Sequence, residues 1–443
     1  MLARSIDKEL LLWKQSSSRQ AFLLTGARQV GKTYAVRKFA QENYERFLEI
    51  NFAETPSACT IFEGDLDART LISSITAYSS LPLIPNNTLI FFDEIQECPR
   101  ARTAIKFLVD YGFYDYIESG SLLGVLSKDV PSLPVGYETL HRMYPLSFEE
   151  FLRALGIQPE VLEIVQACFL EQKAVPQAIH ERLLHIFRLY VTCGGMPQAV
   201  QQLVDTNDLA RVLQIQKDIL ALYRADVAKY AANKPHVYRI FDAIPGELDQ
   251  ENKRFKLSDL AKTARMERYE NDFMWLIDAG VALPCYNVKT PQKPLLLNEQ
   301  HNLFKLYLCD CGLLTAMFED NIQYELLKGN VGINWGSVLE NVVAQELASN
   351  DSKLYYYDRS KMGEIDFLIQ TGNSVIPVEV KSGTDYMTHR ALNKILDIDE
   401  WKLSQAYVLC SGNLEMRGKI AYIPWYMFIY LLHNDIDHLY VQW

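Results

Sequence analysis

Apolar residues recur along this chain in two rhythms, and each predicts a different kind of element. Short unbroken runs, Ala21-Phe22-Leu23-Leu24-Thr25 and Thr88-Leu89-Ile90-Phe91-Phe92, mark strands buried on both faces. Phe47 to Phe52 reads as one more strand, and Tyr114 to Ile117 as another that runs into Glu118-Ser119-Gly120-Ser121. From Leu146 to about Ala232 the spacing changes to three and four residues, as at Phe148, Phe151, Leu152 and Leu155, which predicts helices. Gly194-Gly195-Met196-Pro197 breaks that stretch and reads as a turn between helices.

The second half changes rhythm again. Ser258 begins a short helix, Met266 to Ala279 forms a longer one ended by Gly280, and Val281 to Val288 with Phe304 to Cys309 make a two-stranded wing around Thr290-Pro291. That is the order of a winged helix-turn-helix. Trp335 to Ala344 again has helical periodicity. Strands follow at Leu354 to Tyr357, Glu364 to Ile369 and Val375 to Lys381, then a helix at Arg390 to Leu396 and a strand at Ala406 to Leu409. Together these patterns predict an α/β multidomain chain: a domain built on a buried sheet over 1–153, a helical region over 154–232, a winged helix over 233–317 and a last α/β domain over 325–443.

Composition narrows the classes of function. A chain of 443 residues is too long for one compact core. Its net charge of −11 argues against a protein that coats polyanions generally. The eight cysteines are scattered without ligand spacing; even Cys309 and Cys311 sit in a strand-like run, so buried thiols in a reducing compartment are expected. The longest apolar run, around Tyr426 to Leu432, falls short of the roughly 18 residues a membrane span needs. Met1 to Gln15 mixes charges among its leucines and reads as an amphipathic helix, not a signal peptide, so a cytoplasmic protein is expected.

Directly after the first buried run comes Gly26-Ala27-Arg28-Gln29-Val30-Gly31-Lys32-Thr33, which fits GxxxxGK[ST]. Its glycines let the backbone turn so that N–H groups face phosphate oxygens. Lys32 neutralises the β and γ phosphates, and Thr33 offers its hydroxyl to Mg²⁺. Tyr34 opens the following helix, whose N-terminus also faces the anion. The second apolar run ends in Asp93-Glu94: Asp93 is placed to hold the same Mg²⁺, and Glu94 to polarise the attacking water. A RecA/AAA-like sheet needs a further strand between these two, and the end of the Ile117 strand would then supply a polar sensor, Ser119 first and Ser121 next. Arg100, Arg102 and Arg142 are candidates for an arginine finger, none of them marked by spacing.

These motifs, with Tyr144-Pro145-Leu146-Ser147-Phe148-Glu149-Glu150-Phe151, Gly194 to Pro197, Tyr307 to Leu314 and Val378-Glu379-Val380-Lys381, resemble those of the AAA-type ATPases with a DUF4143 C-terminal region. The resemblance spans nearly the whole chain and implies ATP and magnesium as cofactors; relatives of this kind can complete their sites across subunits of an oligomer. Gly136-Tyr137 departs from the Gly-Arg that many relatives carry, so no arginine is transferred to that point.

The C-terminal order of helix, three-stranded meander, helix and strand is also that of the PD-(D/E)XK, restriction-endonuclease-like fold. Asp366 and Glu379 could share Mg²⁺ or Mn²⁺, Lys381 on the same strand face as Glu379 could activate water, and Glu340 could come in from the helix. Acidic and basic residues are nearly balanced there, and the candidate recognition helix sets Glu267, Glu270 and Asp272 against Arg265 and Arg268, poor for a phosphate backbone. The leading expectation is an ATP-driven switch regulating a nuclease-like module that acts on DNA or RNA. The alternative is a signalling or scaffold ATPase whose C-terminal domain is inactive and binds a protein partner.

Overall fold

The computed structural model describes residues 2–16, 20–79, 82–121, 132–260, 266–318, 322–328, 335–372 and 374–432. They fall into two compact units. One comprises Ala3–Tyr144 with Asp278–Val281, and the other Met1–Leu2, Pro145–Ile277 and Ala282–Trp443. Among the described residues, no helix is long and apolar enough to cross a membrane.

The smaller unit is built on five parallel strands: β1 (Ala21–Thr25), β2 (Arg46–Asn51), β3 (Thr88–Asp93), β4 (Asp115–Gly120) and β5 (Glu138–Arg142). Their order is β2-β3-β4-β1-β5. Every residue of β1 and β3 is buried, as their unbroken apolar runs require. β4 follows both in sequence yet lies between them, so the strand carrying Ser119 separates the two motif strands as the pattern demands. Parallel neighbours need crossovers, supplied by the helices Lys32–Asn43, Ala68–Ser79 and Pro99–Tyr111. The last opens with proline in its first turn and closes on Gly112 in the left-handed region. Phe52, Phe62 and Phe92 meet with ring centroids 5.6 to 5.9 Å apart under one face of the sheet. Burying each contributes on the order of 1.5–3 kcal/mol.

In the larger unit, the stretch expected to be helical contains Phe148–Ala154, Pro159–Leu170, Gln177–Cys193, Pro197–Thr206 and Leu209–Tyr230. Ser147 with Glu150 forms a capping box at the first, and Asp208 caps the last. Strands β6 (Ala282–Val288) and β7 (Glu299–Leu308) pair antiparallel, where the wing was expected. They do not stand alone. β6 pairs on its other side with β8 (Leu354–Arg359), and β8 with β9 (Gly363–Ile365), giving the order β7-β6-β8-β9. β6 is too apolar for an edge strand, so it recruits a second neighbour.

The run expected as one strand over 364–369 breaks at Asp366. β9 pairs backward with β8, whereas β10 (Phe367–Gln370) pairs forward with β11 (Val375–Val380). A second sheet, β10-β11-β12-β14-β13, continues through β12 (Ala406–Cys410), β14 (Ile420–Pro424) and β13 (Glu415–Arg417). β13 and β14 were not anticipated, although Ile420-Ala421-Tyr422-Ile423 is itself a short apolar run, and all five residues of β14 are buried.

The helix Trp335–Ser349 is buried on nearly every side. Its polar residues serve the backbone around it. Asn341 accepts from Leu308 N at 2.8 Å and donates to Leu308 O at 3.0 Å, and Gln345 accepts from Cys311 N at 2.8 Å. The segments expected as helical region, winged helix and last domain thus share one interior.

The Gly194-Gly195 turn belongs to the same interior. Gly195 N donates to Asp310 Oδ2 at 2.6 Å, Leu313 N to Asp310 Oδ1 at 2.9 Å, and Leu146 N to Gly195 O at 2.6 Å. A Cβ on Gly195 would lie 2.1 Å from Leu146 O, and one on Gly312 2.4 Å from Cys193 O. Three motifs distant in sequence therefore interlock through backbone, and the turn's role is architectural.

Candidate functional site

In the smaller unit the carboxyl ends of the strands set Thr25, Asn51, Asp93 and Ser119 along one edge, where open parallel sheets bind ligands. The loop Gly26 to Thr33 leaves β1 there. Gly26 has φ +145°, and a Cβ on it would lie 2.2 Å from Met143 O, so only glycine passes beneath β5's exit. Ala27 and Val30 turn inward and are buried, while Arg28 and Gln29 face outward. Lys32 reaches back over the loop and donates to Gly26 O at 2.9 Å and Ala27 O at 3.0 Å. Burial pulls its pKa below the usual lysine value, against the attraction of Glu94 and Asp93.

Asp93 is the hub. Its Oδ2 accepts from Thr33 Oγ1 and from Asn51 Nδ2, each at 3.0 Å, and its Oδ1 accepts from Ser119 Oγ and from Glu94 N. Burial raises the Asp93 pKa, and the hydrogen bonds from Ser119 and Thr33 pull the other way. All these donors are neutral, so the carboxylate keeps its need for a cation. Thr33 Oγ1 beside Asp93 Oδ2 is an all-oxygen pair of the kind Mg²⁺ takes alongside phosphate oxygens, so the residues fit that ion. Glu94 follows at φ +51°, strained for a non-glycine residue, and is half-buried.

The larger unit holds a second cluster. Glu340 of the buried helix, 2% exposed, pairs through Oε1 with Lys253 and through Oε2 with Lys305 at 3.4 Å, and Oε2 also accepts from Tyr307 OH at 2.9 Å. Lys305 on β7 pairs in addition with Glu364. Asp366, at the break between β9 and β10, accepts from Val380 N at 2.7 Å, and Lys381 pairs with Glu379 at 2.8 Å. Burial would raise Glu340, but Lys305 and Lys253 outweigh it and hold its carboxyl below the ordinary value. Burial, with Glu340 and Glu379 nearby, pushes Asp366 well above it.

Residues 18–152 match the family model described as an AAA domain, and residues 335–428 match DUF4143, a domain of unknown function; 184–323 match another, DUF8612. The chain thus carries one region similar to an AAA domain and another similar to DUF4143. An uncharacterized protein of Methanocaldococcus jannaschii is 23% identical, covering 78% of this chain and 71% of its own length. A second from that organism is 24% identical, over 98% of this chain and 88% of its own. Among solved structures, the chain is similar to the Walker-type ATPase of Pyrococcus abyssi, at 16% identity, 72% and 96% coverage and a TM-score of 0.42. The Orc1 protein of Aeropyrum pernix, solved in complex with DNA, follows at 13%, 74% and 94%, with a TM-score of 0.28.

Within residues 18–152 the structure gathers Gly26 to Thr33, Asp93, Glu94 and Ser119 at one edge of the sheet. Tyr34 is 55% exposed on the first helical turn. The arginine candidates are committed elsewhere. Arg100 donates to Phe62 O and Gly64 O, Arg102 is buried against Glu138 at 2.5 Å, and Arg142 lies over the Tyr144 ring near Asp278. Sequence reasoning missed two residues. Asn51 is a polar residue at the end of a strand, the same signal that singled out Ser119, although β2 is only half-buried. Arg4 donates to Val30 O at 3.1 Å and Tyr144 O at 2.7 Å, bracing the loop from a segment with no motif.

In the region matched by DUF4143, Asp366, Glu379, Lys381 and Glu340 come together. The arrangement lends no support to the expectation that Asp366 and Glu379 share a metal: Val380 N donates to Asp366 and Lys381 pairs with Glu379 Oε1, while Glu379 Oε2 is buried without a hydrogen-bond partner. Among the described residues no three His, Cys, Asp or Glu side chains are grouped to hold an ion. Lys253, Lys305, Tyr307 and Glu364 were missed, since each joins from another element. The expected recognition helix, observed as Met266–Asp278, turns Tyr269, Asp272 and Phe273 inward, with Asp272 on His236 at 3.0 Å. Arg265 lies outside the described residues, as does the side chain of Glu267.

Proposed function

We propose that this protein is a magnesium-dependent ATPase that acts as a switch regulating a nuclease-like module in its C-terminal region. The observation that carries the first part is the chain of contacts Thr33–Asp93–Ser119 at the carboxyl edge of the sheet, with Lys32 over the loop. Magnesium, when bound with the nucleotide, offsets charge on the transferring phosphoryl group. Thr33 and Asp93 would hold it, Lys32 would neutralise phosphate oxygens, and Glu94 would orient the attacking water. Lys32→Ala is expected to abolish ATP binding in calorimetric titration; undiminished affinity would overturn the assignment.

The helix, meander, helix and strand order, with Asp366, Glu379 and Lys381 drawn together, supports a nuclease-like module acting on nucleic acid. The lysine pairs on Glu340 favour the second reading, an inactive domain that binds a protein partner. Purified protein given single- and double-stranded DNA and RNA, with Mg²⁺ or Mn²⁺ and with or without ATP, separates them. Cleavage that disappears in Lys381→Ala supports the nuclease. Absence of cleavage under every condition, with ATP still bound, supports the partner-binding switch.

A further inference from the structure

Asp93 takes hydrogen bonds from both neighbouring strands as well as from the helix that follows the P-loop. Ser119 on β4 donates to its Oδ1, and Asn51 on β2 donates to its Oδ2 at 3.0 Å. Asn51 and Asp93 lie opposite each other in the β2–β3 register, so the amide reaches the acid directly. Thr33 Oγ1, on the helix Lys32–Asn43, is the other side-chain donor to Oδ2. Thr33 also has lone pairs to offer an ion. The Asn51 amide nitrogen is a donor alone, so whatever it does for an ion passes through Asp93.

The rest of Asn51 is fastened as well. Its Oδ1 accepts from Ala53 N and Glu54 N, both at 3.0 Å, in an Asx turn. Thr55 N closes the same loop on Asn51 O at 2.9 Å, and Phe52 N donates to Asp93 O at 3.1 Å. Two places back on β2, and so on the same face, Glu49 takes Arg37 of the helix Lys32–Asn43 through both oxygens, at 2.7 and 2.8 Å. Strand β2 is thereby tied to the helix that carries Thr33. An amide fixed at its oxygen and at its backbone presents its N–H to Asp93 in a single direction.

We propose that Asn51 is a positioning residue for magnesium: its amide holds Asp93 Oδ2 beside Thr33 Oγ1, so that the acid is already turned toward an incoming ion. Being neutral, the amide fixes the carboxylate without cancelling the charge that attracts the ion. Partners of this kind behind a metal-binding carboxylate are worth about 10–100-fold in metal affinity. The proposal rests on the reading of Thr33 and Asp93 as a magnesium site.

The test is calorimetric titration of the full chain with the non-hydrolysable imido analogue of ATP, in saturating Mg²⁺ and in chelator. In the parent, Mg²⁺ should tighten nucleotide binding. In Asn51→Ala that gain should shrink about tenfold, while affinity in chelator stays within about twofold of the parent's. Asn51→Ser keeps a hydroxyl for Ala53 N and Glu54 N but is too short to reach Asp93. It should lose the same gain and keep the parent's melting temperature. An Asn51→Ser variant with the parent's full gain overturns the proposal, because the turn alone would then account for the residue. A loss in chelator as large as the loss in Mg²⁺ overturns it too. A parent whose nucleotide affinity ignores Mg²⁺ removes the magnesium reading and the proposal with it. A parent that responds, beside variants that respond equally, removes the proposal alone.

Discussion

Asp93 in the nucleotide site and Glu340 in the C-terminal cluster are both buried carboxylates, 2% exposed in each case, yet their surroundings make them opposites. Asp93 is held by two hydroxyls, a side-chain amide and a backbone amide, all neutral. Burial therefore raises its pKa, and its charge is left for an ion to complete. Glu340 is held by two ammonium groups and a phenol, which lower its pKa despite burial. Its charge is already complete. A buried acid is read correctly only with the sign of its partners, and a motif of carboxylates alone does not distinguish a metal site from a salt-bridge core.

The harshest way to break this comparison is to take away the fixed counter-charge. Lys305→Met leaves Glu340 and Glu364 short of a buried partner and is expected to lower stability by about 3–5 kcal/mol in urea unfolding. Lys305→Met with Glu340→Gln should recover part of that loss; a cost under about 1 kcal/mol for the single change would mean that Lys305 is not the counter-charge.

A finer way uses Glu346, a third buried acid held by neutral groups, Tyr190 OH at 2.8 Å and Phe148 N at 2.7 Å. Burial pushes its carboxyl up to about 8, against those two hydrogen bonds. Because its folded value is raised, the stability it confers is complete below the unfolded value of about 4.3 and is lost as pH rises through about 8. The slope is about 1.4 kcal/mol per pH unit. Glu346→Gln should remove that slope, so from pH 5 to 7.5 its stability should gain on the parent by about 2–3 kcal/mol. Parallel stability profiles for the two proteins would show that Glu346 is ionised in the fold.

What the chain made legible follows from how locally each feature is encoded. The loop Gly26 to Thr33, the strand ending in Asp93 and the inserted strand ending in Ser119 are written in consecutive residues, and the sheet order agrees with them. Asn51 was equally legible and was passed over, because its strand was read for the sheet alone. Lys253 and Lys305 were not legible. They lie 87 and 35 positions from Glu340, and no period or spacing ties an ion pair across such intervals. The break at Asp366 escaped for a related reason: a strand that changes sheets keeps its apolar pattern on both sides of the change.

The interlock of Gly195, Asp310 and Gly312 bears on which changes this protein can survive. A side chain added at either glycine would collide with main chain, so change there is penalised by loss of the molecule and not by a shift in its activity. In this chain the three residues set an assembly rule. Lys305, wholly buried between Glu340 and Glu364, is bound to the same interior, so its charge belongs to the assembly as the two glycines do.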